Sequence, residues 1–171
     1  MLNKHEIVYN FKQPDITGQA VVNKKIRALK PEVIYHCAAY TAVDNAEDVA
    51  KGLNWQVNAD GTRNVAEAAK RVSAKMVYIS TDYVFDGTNE GEYEVDAPTN
   101  PRNEYGKAKL AGEKAIQETL ADYYIIRTSW VFGKYGKNFV YTMLRLAKDH
   151  GSSSLTINLA AQRGLEPWPN L

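Results

Sequence analysis

Cysteine is almost missing from this sequence. Cys37 is the only one among 171 residues, so an intramolecular disulfide is impossible and a cysteine-based zinc cluster is not expected. A reducing, cytoplasmic setting fits that lone thiol. An excess of either charge is missing too. Twenty-one basic and twenty acidic side chains leave a net charge of +1, which removes any bulk electrostatic case for nucleic acid or a membrane surface. No apolar run approaches the ~18 residues of a membrane span. The opening MLNKHEIVYNFKQPD has no signal-peptide core, so export is not expected. His5, His36 and His150 show no metal-ligand spacing, and no metal site is expected. No phosphate-binding P-loop and no nucleophile elbow occur. The first glycine is Gly18.

What remains is an ordinary globular composition, 44% hydrophobic and 24% charged, of a size for one domain. EIVYNF (6–11) reads as a strand, followed by a turn at Pro14-Asp15. A helical pattern over 19–30 ends at Pro31. VIYHCAAY (33–40) is apolar on both faces, as a buried parallel strand is. Helical spacing runs from 46 to 71, with Gly61 inside it. MVYIST (76–81) is a strand, and 86–103 is a long polar loop, a length that usually serves function or is disordered. A helix over 105–120, a strand-to-loop stretch over 123–132, a helix over 138–148 and a short LTI strand (155–157) complete the pattern. Alternating strands and helices predict an α/β, doubly wound parallel sheet. After Asn158 the periodicity fades.

Ligands in such sheets collect beyond the carboxyl ends of the strands. Ala38, Ala39 and Tyr40 follow one strand; their small size admits a flat ligand, or serves tight packing. Ser80, Thr81 and Asp82 follow the next, suited either to a polar substrate or to starting a turn. Tyr105 and Lys109 stand four apart on one helix face. A phenol of pKa near 10 is a poor catalyst at neutral pH, and a nearby ammonium lowers that value. A chance pair on a solvated helix gives the same spacing. Trp130 is a core filler or an apolar wall for a sugar or base. His36, mid-strand, reads as a satisfied core residue.

Taken together, CAAYTAVDNAED (37–48), VNADGTRNVAEAA (57–69), VYISTDYVFDG (77–87), PRNEYGKAKLAGEKA (101–115) and IIRTSWVFGKYGKNFVYTMLRLAK (125–148) resemble the extended short-chain dehydrogenases/reductases. The STDYVFDG and RTSWVFG wording is similar to their rhamnose branch. The resemblance implies a Rossmann-like fold, NADPH or NADH as cofactor, and reduction of the C4 ketone of a dTDP-linked 6-deoxyhexulose. It makes Tyr105 the proton donor and Lys109 both the residue that lowers the Tyr105 pKa and a ligand of the nicotinamide ribose. Thr81 would hydrogen-bond the substrate carbonyl, with Asp82 and Trp130 also on substrate. Ala38, Ala39 and Tyr40 would line the dinucleotide, with Asp15 and Ile16 beside adenine.

Two departures accompany it. The family's first strand and glycine-rich, pyrophosphate-binding turn have no counterpart here. Residues 1–158 therefore read as a partial NAD(P)-binding domain, and 159–171 as an irregular tail in place of the substrate-binding region, where Gln162, Gly164, Pro167 and Trp168 echo a family stretch. Without that turn, weak NADPH binding and no turnover are expected of the isolated chain. Two other readings stand beside a reductase fragment. One is a non-catalytic regulatory or binding protein, like the regulatory subunit of methionine adenosyltransferase; the other is a different nucleotide-sugar reductase or epimerase.

Overall fold

The computed structural model describes residues 15–134 and 138–150. The strand expected at 6–11, the one at 155–157 and the tail at 159–171 lie outside the described residues. Helix α1 (Gln19–Leu29) ends where Lys30 turns left-handed, just before Pro31. Strand β1 (Val33–His36) follows. The helical stretch expected over 46–71 is four pieces: α2 (Val43–Glu47), α3 (Lys51–Trp55), a π-helical segment (Gln56–Gly61) and α4 (Thr62–Val72). Strand β2 (Lys75–Thr81) passes through a short 3₁₀ turn (Asp82–Val84) into the polar loop. Helix α5 (Glu104–Thr119), strand β3 (Tyr123–Thr128) and helix α6 (Phe139–His150) complete the order. The third strand runs into a loop as the 123–132 stretch predicts, leaving the extended path after Thr128, and Trp130 in that loop adopts a positive φ of 52°.

The three strands form one parallel sheet in the order β1-β2-β3. Val33 pairs with Lys75, and Ser80 with Arg127. Side chains alternate across a strand. Met76 and Tyr78 therefore point to one face, where both are fully buried among Val22 of α1, Val65 and Ala69 of α4, and Ile116 of α5. Small residues dominate the inner side of α4, which lets the helix lie close to the sheet. The opposite sheet face keeps Tyr35, Tyr124 and Ile126 exposed among the described residues. No described helix is long and apolar enough to cross a membrane.

Candidate active site

Parallel pairing sends the carboxyl ends of all three strands to one edge. The segments bearing Ala38 to Tyr40, Thr81 and Asp82, and Trp130 leave the sheet at that edge, where ligands gather in open parallel sheets.

Helix α5 brings its first turn to the same place. Asn103 caps it by accepting the Gly106 amide at 2.7 Å. Gly106 lies so near the Tyr83 carbonyl that a Cβ would overlap the oxygen. This close approach seats Tyr105 edge-on to Tyr83, ring centroids 5.8 Å apart. Tyr105 is buried, and the Thr81 side chain is a neighbour that favours its phenolate form. The Thr81 hydroxyl also donates to Asp82 Oδ1 at 3.0 Å, while Asp82 Oδ2 accepts from Ser129 at 2.7 Å. The ends of β2 and β3 are thereby tied together.

Lys109, one turn further on, is 1% exposed. Its ammonium donates to the Ile79 carbonyl at 2.7 Å and lies 4.1 Å from the centroid of the Tyr78 ring. Burial lowers the Lys109 pKa to about 8, with Glu113 and Cys37 opposing. The sequence led us to expect that Lys109 depresses the Tyr105 pKa. In this structure the phenol is instead raised, chiefly by burial and against the lowering influence of Thr81. The cause is burial, which penalises the phenolate by more than its neighbours compensate, with Asp82 and Tyr83 adding to the rise.

His36 is a satisfied core residue, as read from the sequence. It hydrogen-bonds Thr62 at 3.0 Å and stacks on Tyr78 at 5.3 Å. Burial, then the Lys109 charge, lowers its pKa to about 3.

At the end of β1, Ala38 is exposed, and Ala39 and Tyr40 are half-buried. The Tyr40 backbone is held from both sides by one side chain: Asn58 Oδ1 accepts its N–H at 3.0 Å and Asn58 Nδ2 donates to its carbonyl at 2.9 Å. Asn58 also donates to Asn54 at 2.8 Å, and Asn54 donates to the Glu104 carbonyl at 2.9 Å. One buried amide chain thus links the Tyr40 segment to the residue before Tyr105. Asp15 folds back on Thr17, accepting its N–H and hydroxyl. Ile16 packs on Gly61, and its carbonyl accepts from Asn64 at 2.9 Å. Trp130, at the exit of β3, is 41% exposed.

Sequence reading overlooked Asn54, Asn58, Glu113, Arg127 and Ser129. The available signal was polar residues at positions that helical spacing turns inward, Asn54 and Asn58 being four apart.

The sequence profile described as the RmlD substrate binding domain matches residues 2–164. The chain belongs to this family. Curated relatives of this RmlD-family chain include the dTDP-4-dehydrorhamnose reductase of Streptomyces griseus. It is 43% identical over 157 residues, covering 85% of this chain and 51% of the relative. The dTDP-4-dehydrorhamnose reductase of Escherichia coli is 45% identical over 136 residues, 79% of this chain and 45% of that protein. Among solved structures, dTDP-4-dehydrorhamnose reductase from Bacillus anthracis, in complex with NADP, superimposes with a TM-score of 0.79 at 47% identity. It covers 83% of this chain and 50% of that one. The chain spans about half the length of the curated relatives it matches. The fold is Rossmann-like, with a parallel sheet among α-helices.

Proposed function

We propose that the chain carries the catalytic centre of a dTDP-4-dehydrorhamnose reductase. The reaction is the NADPH- or NADH-dependent reduction of the C4 ketone of dTDP-4-dehydro-6-deoxy-L-mannose to dTDP-L-rhamnose, in cytoplasmic synthesis of cell-surface polysaccharide. The observation that carries this reading is that Tyr105, Thr81 and Lys109 are buried together where α5 meets the end of β2, with Thr81 acting on the Tyr105 phenol and Lys109 one helical turn away.

The nicotinamide dinucleotide, when bound, supplies the hydride. The residues fit its ribose end. An ammonium has three donors, Ile79 takes one from Lys109, and the others suit ribose hydroxyls. Ala38 and Ala39 offer little steric bulk to a flat ring. Asp15 and Ile16 would flank adenine. Tyr105 holds the proton destined for the C4 oxygen, and Thr81 orients that oxygen by hydrogen bonding. The raised phenol keeps its proton at neutral pH, as a proton donor must. Asp82 and Trp130 would meet the sugar. The non-catalytic alternative requires none of this alignment.

A chimera tests the reading. This chain replaces the matching half of the Bacillus anthracis reductase, and NADPH oxidation is followed with the dTDP-sugar ketone. Turnover that vanishes in Tyr105→Phe supports the reading. A chimera that folds and binds NADPH yet leaves the ketone untouched refutes it.

A further inference from the structure

Glu113 is the most deeply buried carboxylate among the described residues, at 1% exposure, and the proposed chemistry does not use it. It stands one turn beyond Lys109 on the same face of α5. Its Oε1 accepts from the Ser80 hydroxyl at 2.5 Å and from Arg127 Nε at 3.1 Å. Its Oε2 accepts from Arg127 Nη2 at 2.7 Å. The contact is a two-pronged fork, the geometry that fixes orientation as well as distance. Ser80 and Arg127 are register partners on β2 and β3, and Ser80 immediately precedes Thr81.

The outer side of Arg127 reaches the polar loop. Nη1 donates to the Val95 carbonyl at 3.4 Å, and the guanidinium lies 5.0 Å from the centroid of the Phe85 ring. Phe85 in turn stacks on Tyr93 at 4.1 Å. One ion pair therefore joins the end of β2, the Lys109 turn of α5, β3 and the loop leaving the site. Buried ion pairs seldom add net stability over apolar residues of similar volume. Apolar side chains would hold these layers together as well, but would fix neither the Ser80 hydroxyl nor the loop's direction.

We infer that Glu113 and Arg127 are a positioning pair for this centre, setting where Thr81, Lys109 and the 85–95 segment stand relative to one another. The inference rests on the reductase reading for its purpose, though not for its test. Lys109 also feels this pair electrostatically. The groups that face it are Glu113 on α5, His36 and Cys37 at the end of β1, and Tyr78 on β2. Of these, Glu113 is the carboxylate that sustains its charge.

The test uses the full chain. Lysine labelled with ¹³C at Cε reports the Lys109 titration by NMR, and amide exchange reports Thr81 and the 85–95 segment. Glu113→Gln should lower the Lys109 midpoint by roughly half a unit to one unit. It also leaves Arg127 without its counter-charge, so it could fail to fold. Glu113→Leu with Arg127→Met removes both charges and keeps the volume. That double variant should fold, shift the Lys109 midpoint down as well, and exchange Thr81 and the loop about tenfold faster or more. Arg127→Lys keeps the charge but loses the fork. It should leave the Lys109 midpoint near wild type while loosening the loop. A folded double variant with an unmoved Lys109 midpoint and unchanged exchange would overturn the inference. If the wild-type chimera fails to reduce the ketone, the reductase reading falls, while the titration and exchange still judge the pair.

Discussion

Gly106 and Tyr83 are packed backbone to backbone, with the Tyr83 carbonyl occupying the space a Cβ at 106 would need. Tyr105 reaches Thr81 because α5 can come this close. Gly106→Ala should force the helix start away and destabilise the fold by about 1–3 kcal/mol, the usual cost of overpacking. Gly52, the second residue of α3, has nothing within 4 Å of the corresponding position. There the same substitution should stabilise by about 0.5–1 kcal/mol through helix propensity. Urea unfolding of both variants measures the contrast; equal effects would remove the steric argument.

Tyr105→Phe keeps the ring against Tyr83 and deletes only the hydroxyl that meets Thr81. In the chimeric reductase it should cut turnover by roughly 10²–10⁴, the worth of general acid–base catalysis. NADPH affinity by calorimetry should stay near that of the parent. Wild-type turnover in this variant is incompatible with the phenol as proton donor.

His36 should make the fold acid-sensitive. Its pKa falls from 6.5 to about 3 on folding, so between those values the unfolded chain binds the extra proton. The contribution is complete above pH 6.5 and is lost as pH falls toward 3, at up to about 1.4 kcal/mol per unit. Glu104, held to about 2 by Trp55 and Lys107, adds a loss that begins only below its ordinary value of 4.5. Stability measured at pH 7, 6 and 5 should therefore slope in wild type and flatten in His36→Gln. An identical slope in both proteins would assign the effect elsewhere.

Asn58→Ala should unpair both backbone groups of Tyr40 and leave Asn54 Oδ1 without the Asn58 donor, its bond to the Glu104 carbonyl remaining. Unsatisfied buried polar groups cost roughly 1–3 kcal/mol each. A fall in stability beyond that of Asn64→Ala, which frees the carbonyls of Ile16 and Thr17 from one amide group, is the expected result. Amide exchange at Tyr40 should rise in parallel. A Tyr40 amide still protected in Asn58→Ala would show that other contacts hold this segment.

The alternation of strand and helix was legible because its signals are local. VIYH and MVYIST are apolar runs bounded by breakers, and Asn103 precedes a long helical pattern. The Tyr105–Lys109 pair was legible through helical spacing, and its alignment with Thr81 through the rule for strand ends. The break-up of 43–72 was not. The π-helical segment ends at Gly61, where Ile16 fills the space of a Cβ, and it contains Asn58, which turns to a backbone far along the chain. Such contacts leave no periodic trace. The raised Tyr105 was hidden for a similar reason. Spacing places Lys109 near it, but only the fold shows how deeply the phenol is buried.

The parallel sheet has a kinetic consequence. Among the described residues no strand meets its neighbour through a hairpin; each pairing waits for a helix-bearing crossover to close. Contacts distant in sequence repay their loop entropy only at closure, and chains built from them fold slowly. Thr81 meets Tyr105 on the helix of the β2–α5–β3 crossover, and Asp82 gains Ser129 only when that same crossover closes. The centre therefore has no partly assembled precursor in any single segment, and during refolding it should emerge in the last phase, together with the docking of β3.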